Sequence, residues 1–341
     1  MCAGSPGGAR RDGERGGASG AGGVALTAGG AEARLLRPAA LRPGDRIAVV
    51  AGSGLLDPEQ VDAGLALLRA RGFDVVAAPL REPYRYMAAP DRERLEDLVA
   101  AFADPSVRAV WCARGGYGMV RLLPGLDPAW LRERRKLVIG YSDATALLAH
   151  MVQGAGVAAL HGPMVASDLQ RQADCGALDH LLAIAAGTTD WSIPVPFGIA
   201  TGEVEAPLRG GCLAVLVSLA GTPYAPRFAD SIALLEDVGE RPQRRIDRML
   251  VQLRQSGLLD GVRGIVFGAM PDCGDAEEIR ATIADCLGDL DVPVGYGAKI
   301  GHGVANFAVP LGVRVRLRVD SLGDTFVAPA GRVEGLDPLV A

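Results

Sequence analysis

From Leu36 onward, short apolar runs rich in β-branched residues alternate with stretches whose apolar positions recur every three or four residues. Arg46 to Ala51 reads as a buried strand. Pro58 to Arg71 then sets Val61, Leu65 and Leu68 on one helical stripe, with proline in the first turn. Phe73 to Ala77 and Val107 to Cys112 are further strands around a helix over Asp91 to Ala103, and Lys136 to Gly140 is a fourth strand running into a helix over Asp143 to Val152. Such alternation predicts a parallel sheet covered on both faces, with functional groups at the carboxyl ends of its strands. Further on, the pattern gives helices at Cys212 to Leu219, Arg241 to Ser256 and Ala276 to Cys286, and strands at Ser231 to Leu235, Gly264 to Phe267, near Val292 and at Val313 to Val319. The fold class is therefore α/β: an N-terminal doubly wound, mostly parallel sheet domain and a C-terminal mixed α/β, barrel-like domain. Pro194, Pro196 and Pro207 mark the junction, which gives a Gly/Ala-rich tail over 1–33, a first domain over 34–165, a linker region over 166–204 and a second domain over 205–341. No internal repeat of roughly 20 to 50 residues is visible.

Composition narrows the function classes. With 341 residues, 49% hydrophobic and 22% charged, the chain has enough apolar surface for a large core, which excludes a disordered or fibrous protein. A net charge of −5, with both signs interspersed, offers no footprint for nucleic acid or an anionic membrane. Six cysteines (Cys2, Cys112, Cys175, Cys212, Cys273, Cys286) form no C-x-x-C pair and read as reduced thiols of a cytosolic protein. The apolar run Leu213 to Ala220 is far short of the ~20 residues that cross a bilayer. Residues 1–23 lack the apolar region of a secretory signal and are expected to be a flexible tail. The expected partner is a small molecule or another protein.

Candidate chemistry concentrates in a few segments. In Lys136-Leu-Val-Ile-Gly-Tyr-Ser-Asp-Ala144 a strand breaks on glycine and sets Ser142 at a helix entrance, flanked two positions away by Gly140 and Ala144. That is the layout of a nucleophile elbow without its second glycine. The competing role for Ser142 is that of an N-cap, with Asp143 in the first turn. Arg114-Gly-Gly-Tyr-Gly118, just past a strand, brings backbone amides close to a ligand and suits the second half of an oxyanion hole beside the amide of Asp143. It lacks the third glycine of a dinucleotide fingerprint, and the chain holds no phosphate-binding G-x-x-x-x-G-K-[ST] loop. Of four histidines, His302 in Gly301-His-Gly303 ranks first as base because its glycines should expose the ring. His161 is the rival, while His150 and His180 suit packing. Glu236 or Asp237, at the end of an apolar strand, could orient the base or instead pair with Arg244, Arg245 or Arg248. No H-E-x-x-H or comparable ligand cluster points to a metal, and no cofactor is expected. Arg114, with Tyr117, is a candidate for a substrate carboxylate, with Arg244 and Arg245 next.

Taken together, Tyr86-Met-Ala-Ala, Asp91-Arg-Glu-Arg94, Ala101-Phe-Ala-Asp-Pro105, Trp111-Cys-Ala-Arg-Gly-Gly-Tyr-Gly118, Ile139-Gly-Tyr-Ser-Asp143, Leu160-His-Gly-Pro163, Gly221-Thr-Pro223, Leu235-Glu-Asp-Val-Gly-Glu240, Arg245-Ile-Asp-Arg-Met-Leu250 and Gly301-His-Gly303 with Asn306 and Pro310-Leu-Gly312 resemble the LD-carboxypeptidase family of serine peptidases, in order from about residue 36 to 320. The resemblance implies a cytoplasmic hydrolase, commonly a homodimer, that removes the terminal D-alanine from murein tetrapeptide in peptidoglycan recycling. A sister branch, the microcin C immunity peptidases, applies the same triad to a peptidyl nucleotide. Carried onto matching positions, the family roles make Ser142 the nucleophile, His302 the base and Glu236 its orienting acid, with amides of Asp143, Gly115 and Gly116 as oxyanion hole. Two departures stand out: Gly210-Gly-Cys212-Leu where the family usually has Gly-Gly-Asn-Leu, and Gly52-Ser-Gly54 where it usually has Pro-Ser-Gly. A catalytically silent binding protein on the same scaffold is the remaining alternative.

Overall fold

Strands and helices alternate from β1 (Arg46–Val50) through α1 (Pro58–Ala70), β2 (Asp74–Ala77), α2 (Asp91–Ala103), β3 (Val107–Cys112), α3 (Pro128–Arg134), β4 (Leu137–Gly140), α4 (Thr145–Ala149), β5 (Ala159–His161) and α5 (Ala177–Ala185). The structure, a computed structural model, describes residues 35–321 and 329–341. The tail expected over 1–33 lies outside the described residues. After α5 come β6 (Ser192–Val195), β7 (Phe197–Ala200), β8 (Gly202–Cys212), α6 (Leu213–Ser218), β9 (Ile232–Glu236), α7 (Arg244–Gln255), β10 (Gly264–Phe267), α8 (Ala276–Leu287), β11 (Val294–Tyr296), β12 (Val309–Leu311), β13 (Arg314–Val319) and β14 (Gly331–Gly335).

Two mixed sheets result. The first has the order β12-β5-β4-β3-β1-β2, parallel except where β12 runs antiparallel to β5. Its central strands are mostly apolar, with Arg46 of β1 and Arg108 of β3 as exceptions, and all four residues of β4 are buried, as expected of a sheet covered on both faces. The second has the order β6-β14-β13-β8-β9-β10-β11-β7, with a parallel centre from β8 to β11 and antiparallel flanks. Its two edge strands are separated in sequence by Pro196 alone. The sheet therefore curls until its edges approach, but no ladder joins them and no barrel closes.

Local rules account for several helix starts. Asp57, Asp127 and Asp275 each accept a backbone N–H in the first turn of α1, α3 and α8, caps worth about 1 kcal/mol apiece. Proline opens α1 and α3, where its missing N–H costs nothing. Two expectations change. The single helix expected over Asp143 to Val152 is a 3₁₀ turn at Ser142–Ala144, then α4, then a π-turn at His150–Gly154. The region 166–204, expected as a linker, carries α5, β6 and β7. Its Pro194 is tolerated because β6 is an edge strand with one unpaired side.

Among the described residues no helix is long and apolar enough to cross a membrane. Cys112, Cys212, Cys273 and Cys286 are buried and unpaired, and burial pushes the Cys112 thiol up to about 12, so that it stays protonated.

Candidate active site

The functional segments converge where strands end. β4 delivers Ser142, β3 delivers the loop Arg114–Gly118, β5 ends on His161 and β9 ends on Glu236, while His302 stands on the connection from β11 to β12. The first sheet thus supplies the serine and the second supplies the acid.

At the end of β4, extended Tyr141 is followed by Ser142 at φ +59°, a left-handed conformation that non-glycine residues rarely hold without a compensating role. No side chain caps this turn. The Ser142 hydroxyl lies 3.0 Å from His302 Nε2, so the N-cap role is not the one it plays. His302 Nδ1 lies 2.6 Å from Glu236 Oε2, and the same oxygen accepts the His302 backbone N–H at 3.2 Å. Serine, imidazole and carboxylate form an unbroken line in which Nε2 can take the hydroxyl proton while Nδ1–H is held by the acid.

His302 corrects one expectation. Its side chain is 13% exposed, packed against the Tyr141 ring at 4.8 Å, so the flanking glycines do not expose it. Gly301 serves close approach instead: at φ +90°, a Cβ there would stand 2.1 Å from Glu236 Oε2. Asn306 secures this loop by accepting the Gly301 N–H at 2.8 Å and donating its own N–H to Gln172 Oε1 at 3.0 Å.

Burial sets the charges. Taking Glu236 wholly out of water would push its carboxyl up, but the imidazoles against it, His302 foremost, prevail and hold it down at about 2. Burial likewise disfavours the His302 imidazolium, yet the facing Glu236 carboxylate outweighs it and raises the imidazole above its ordinary value. Asp237, the other candidate acid, points elsewhere. Its carboxylate accepts from Ala214 N and Val238 N, both at 2.8 Å, capping α6, and burial pushes it up to about 6.

The glycine loop borders the serine. A Cβ on Gly115 would stand 2.6 Å from Ser142 Oγ, and Gly116 takes φ +121°. Asp143 is buried, which raises its carboxyl, and it accepts the Met119 N–H at 2.8 Å, tying the loop to the serine turn. Arg114 donates to Leu55 O at 2.7 Å, and among the described residues no acid pairs with it. Tyr117 is 45% exposed and meets Tyr86 edge-on at 5.8 Å. Arg245 pairs with Glu240 at 3.0 Å. Of the other histidines, His150 and His180 bond the carbonyls of Leu126 and Ala308, whereas His161 is wholly buried beside Glu236, which removes it as a rival base at the serine. Among the described residues no group of three or more His, Cys, Asp or Glu is placed to hold a metal.

Two groups escaped the sequence reading. Arg94 is buried, donates to Gly52 O and Ala89 O, pairs with Asp91 and lies under Gly118, so it joins the loops after β1 and β3. Its signal was present: an arginine on the same face of α2 as Leu98, Ala101 and Phe102. Asp168 accepts from Tyr141 OH at 3.0 Å, Met164 N at 3.0 Å, Ser167 Oγ at 2.8 Å and Arg171 at 2.7 Å, fixing the tyrosine against His302. It had no signal, lying in the stretch read as linker.

The LD-carboxypeptidase N-terminal domain matches residues 47–162 and the LD-carboxypeptidase C-terminal domain residues 205–317. A putative carboxypeptidase of Streptomyces coelicolor is 41% identical over 305 residues, covering 87% of this chain and 97% of that protein. The murein tetrapeptide carboxypeptidase of Pseudomonas aeruginosa is 34% identical, covering 78% and 91%. Among solved structures, the muramoyltetrapeptide carboxypeptidase of Oxalobacter formigenes superposes with a TM-score of 0.75 at 29% identity, covering 86% and 99%. With two domain matches in order across the chain and relatives alike nearly end to end, the chain belongs to the LD-carboxypeptidase family and is a serine-type carboxypeptidase.

Proposed function

We propose that this enzyme removes the terminal D-alanine from murein tetrapeptide, with Ser142 as nucleophile, His302 as general base and then acid, and Glu236 as the group that orients and charges His302. The observation that carries the reading is the line from Ser142 Oγ through both ring nitrogens of His302 to Glu236, at 3.0 and 2.6 Å. His302 Nε2 takes the Ser142 proton as Oγ adds to the scissile carbonyl, and the resulting imidazolium is stabilised by the buried carboxylate. The oxyanion is received by the amides of Asp143 and of Gly115 and Gly116, a role supported by the closeness of Gly115 to Oγ. Collapse of the adduct passes the proton from Nε2 to the departing D-alanine amine, and water then releases the acyl group by the same route in reverse. The relative named for murein tetrapeptide and the structure named for muramoyltetrapeptide support this substrate.

Arg114, with Tyr117 nearby in sequence, receives the free carboxylate of the leaving residue; its position at the head of the glycine loop and its lack of an acidic partner among the described residues support this. Amidating the substrate's terminal carboxylate should raise KM sharply in the wild type and much less in Arg114→Ala, whereas equal loss in both would move that role elsewhere. The family resemblance further supports a cytoplasmic homodimer acting in peptidoglycan recycling without cofactor, nucleic acid or membrane, and sedimentation of the purified protein as a monomer would remove the dimer. Side-by-side incubation with murein tetrapeptide and a peptidyl nucleotide tests the substrate. Release of D-alanine is expected, while cleavage of the nucleotide alone would assign the microcin C immunity type of activity.

A further inference from the structure

We propose that His161 is a positioning residue for this reaction, holding its Nε2–H against the second oxygen of the Glu236 carboxylate and so fixing that carboxylate toward His302. The inference rests on the catalytic reading of Ser142, His302 and Glu236, and it extends their line to a fourth member. Glu236 is wholly buried, and its two oxygens are treated unequally. Oε2 accepts both the ring and the backbone N–H of His302. Oε1 has no hydrogen-bond partner among the described residues, and the His161 Nε2 stands 3.7 Å from it. Both ring nitrogens of His161 are also buried and, among the described residues, without a hydrogen bond. A buried oxygen and a buried donor left unpaired are each costly, and these two face each other less than about 1 Å beyond a normal N–H···O distance. Hydrogen bonds of catalytic groups are commonly long in the free enzyme and tighten with substrate bound.

The ring is placed by the frame of the first sheet. His161 ends β5, registered against Gly140 of β4 on one side and Val309 of β12 on the other. Tyr141, fixed by Asp168, packs its ring 5.7 Å from His161 and 4.8 Å from His302, so the two imidazoles flank one aromatic. The other ionisable groups around the acid are engaged apart from Oε1. Asp237 caps α6, Cys212 lies opposite Glu236 in the β8–β9 register with its thiol toward Asp237, and Asp168 pairs with Arg171.

A donor on Oε1 has two consequences. It pins the carboxylate plane, which aligns Nδ1 and through it Nε2 with Ser142. It also draws carboxylate charge away from His302, so that removing it leaves His302 more basic. The chain holds four histidines, so ring signals of histidine-labelled protein can be resolved by NMR without any substrate. In the wild type, His161 should be the Nε2–H tautomer with a slowly exchanging proton; an Nδ1–H tautomer there overturns the proposal whatever the variants do. In His161→Phe the His302 titration midpoint should rise by about half a pH unit, a roughly threefold change in proton affinity. There kcat should fall about 10- to 100-fold, within or just below the usual contribution of a proton-transfer group, with KM changed less than about twofold. His161→Gln, which offers an N–H again, should recover most of kcat. An unmoved His302 midpoint in folded His161→Phe would reduce His161 to packing. The NMR results stand apart from the substrate reading: a wild type that shows the tautomer but releases no D-alanine contradicts the murein assignment alone.

Discussion

Ser142 holds a backbone conformation that its side chain does not favour, and the Ser142–His302 contact is what that conformation achieves. A left-handed non-glycine residue costs about 1–2 kcal/mol, whereas glycine is nearly free there. Ser142→Gly should therefore be more stable than Ser142→Ala by about 1 kcal/mol in chemical denaturation, both being inactive; equal stabilities would mean the turn stores no strain. With His302 as the proposed base, a pH dependence is expected. Only neutral imidazole accepts the serine proton, and Glu236 raises the His302 pKa above its ordinary 6.5. kcat/KM should accordingly rise with pH through a midpoint above 6.5, and a flat profile across that range would deny His302 the role of base. The same shift stabilises the fold while His302 is protonated, fully below the unfolded value and lost as pH climbs through the raised one. At this scale the sequence was informative because serine after a strand, histidine between glycines and acid at a strand end are local marks. It left Glu236 and Asp237 open because adjacent strand residues point to opposite faces, and which face meets the histidine depends on α6, whose Ala214 amide takes Asp237. The burial of His302 differs from expectation for a related reason: Gly301 makes room for the carboxylate of Glu236, distant in sequence, rather than for solvent.

Between elements, the working parts are loops that follow strands, and glycines decide how closely they meet. Gly115 lies outside the left-handed region, so Gly115→Ala leaves the backbone unstrained and acts through its Cβ, 2.6 Å from Ser142 Oγ. Displacing the hydroxyl by about an ångström can cost 10²-fold in rate. kcat should fall by at least about that factor, and since the new Cβ also stands 2.7 Å from Ser142 Cβ the thermal midpoint should fall too; an unchanged kcat would place the loop farther from the chemistry. Element types in the first half were readable because apolar period and caps agree, as in α1 with its Asp57 cap and its Val61, Leu65 and Leu68 face. The segment after Ser142 was less so. Residues 144–149 are all apolar or small, a pattern compatible with any helix type, so the change from 3₁₀ to α to π leaves no local mark. Prolines misled between 166 and 204, since Pro194 occupies a sheet edge, a place that only the strand order reveals.

The molecule as a whole is organised so that neither half of the chain holds the candidate site alone. Ser142 follows β4 of the first sheet, Glu236 ends β9 of the second, and His302 lies on the segment that leaves β11 of the second sheet and enters β12 of the first. β12 is the reason a two-domain division by sequence is incomplete: three residues, Val309–Leu311, return to pair with β5 and complete the sheet that carries the serine. Strand exchange of this kind leaves no mark in composition, and its short apolar run looks like any other. Whether Ser142 of this composite site hydrolyses the bond to a terminal D-alanine is read from D-alanine release from murein tetrapeptide with wild type and Ser142→Ala at equal concentration. Steady release is expected from the wild type and a loss on the order of 10⁴ to 10⁶ in the variant, with an unchanged circular dichroism spectrum. Turnover near wild type in Ser142→Ala would contradict it.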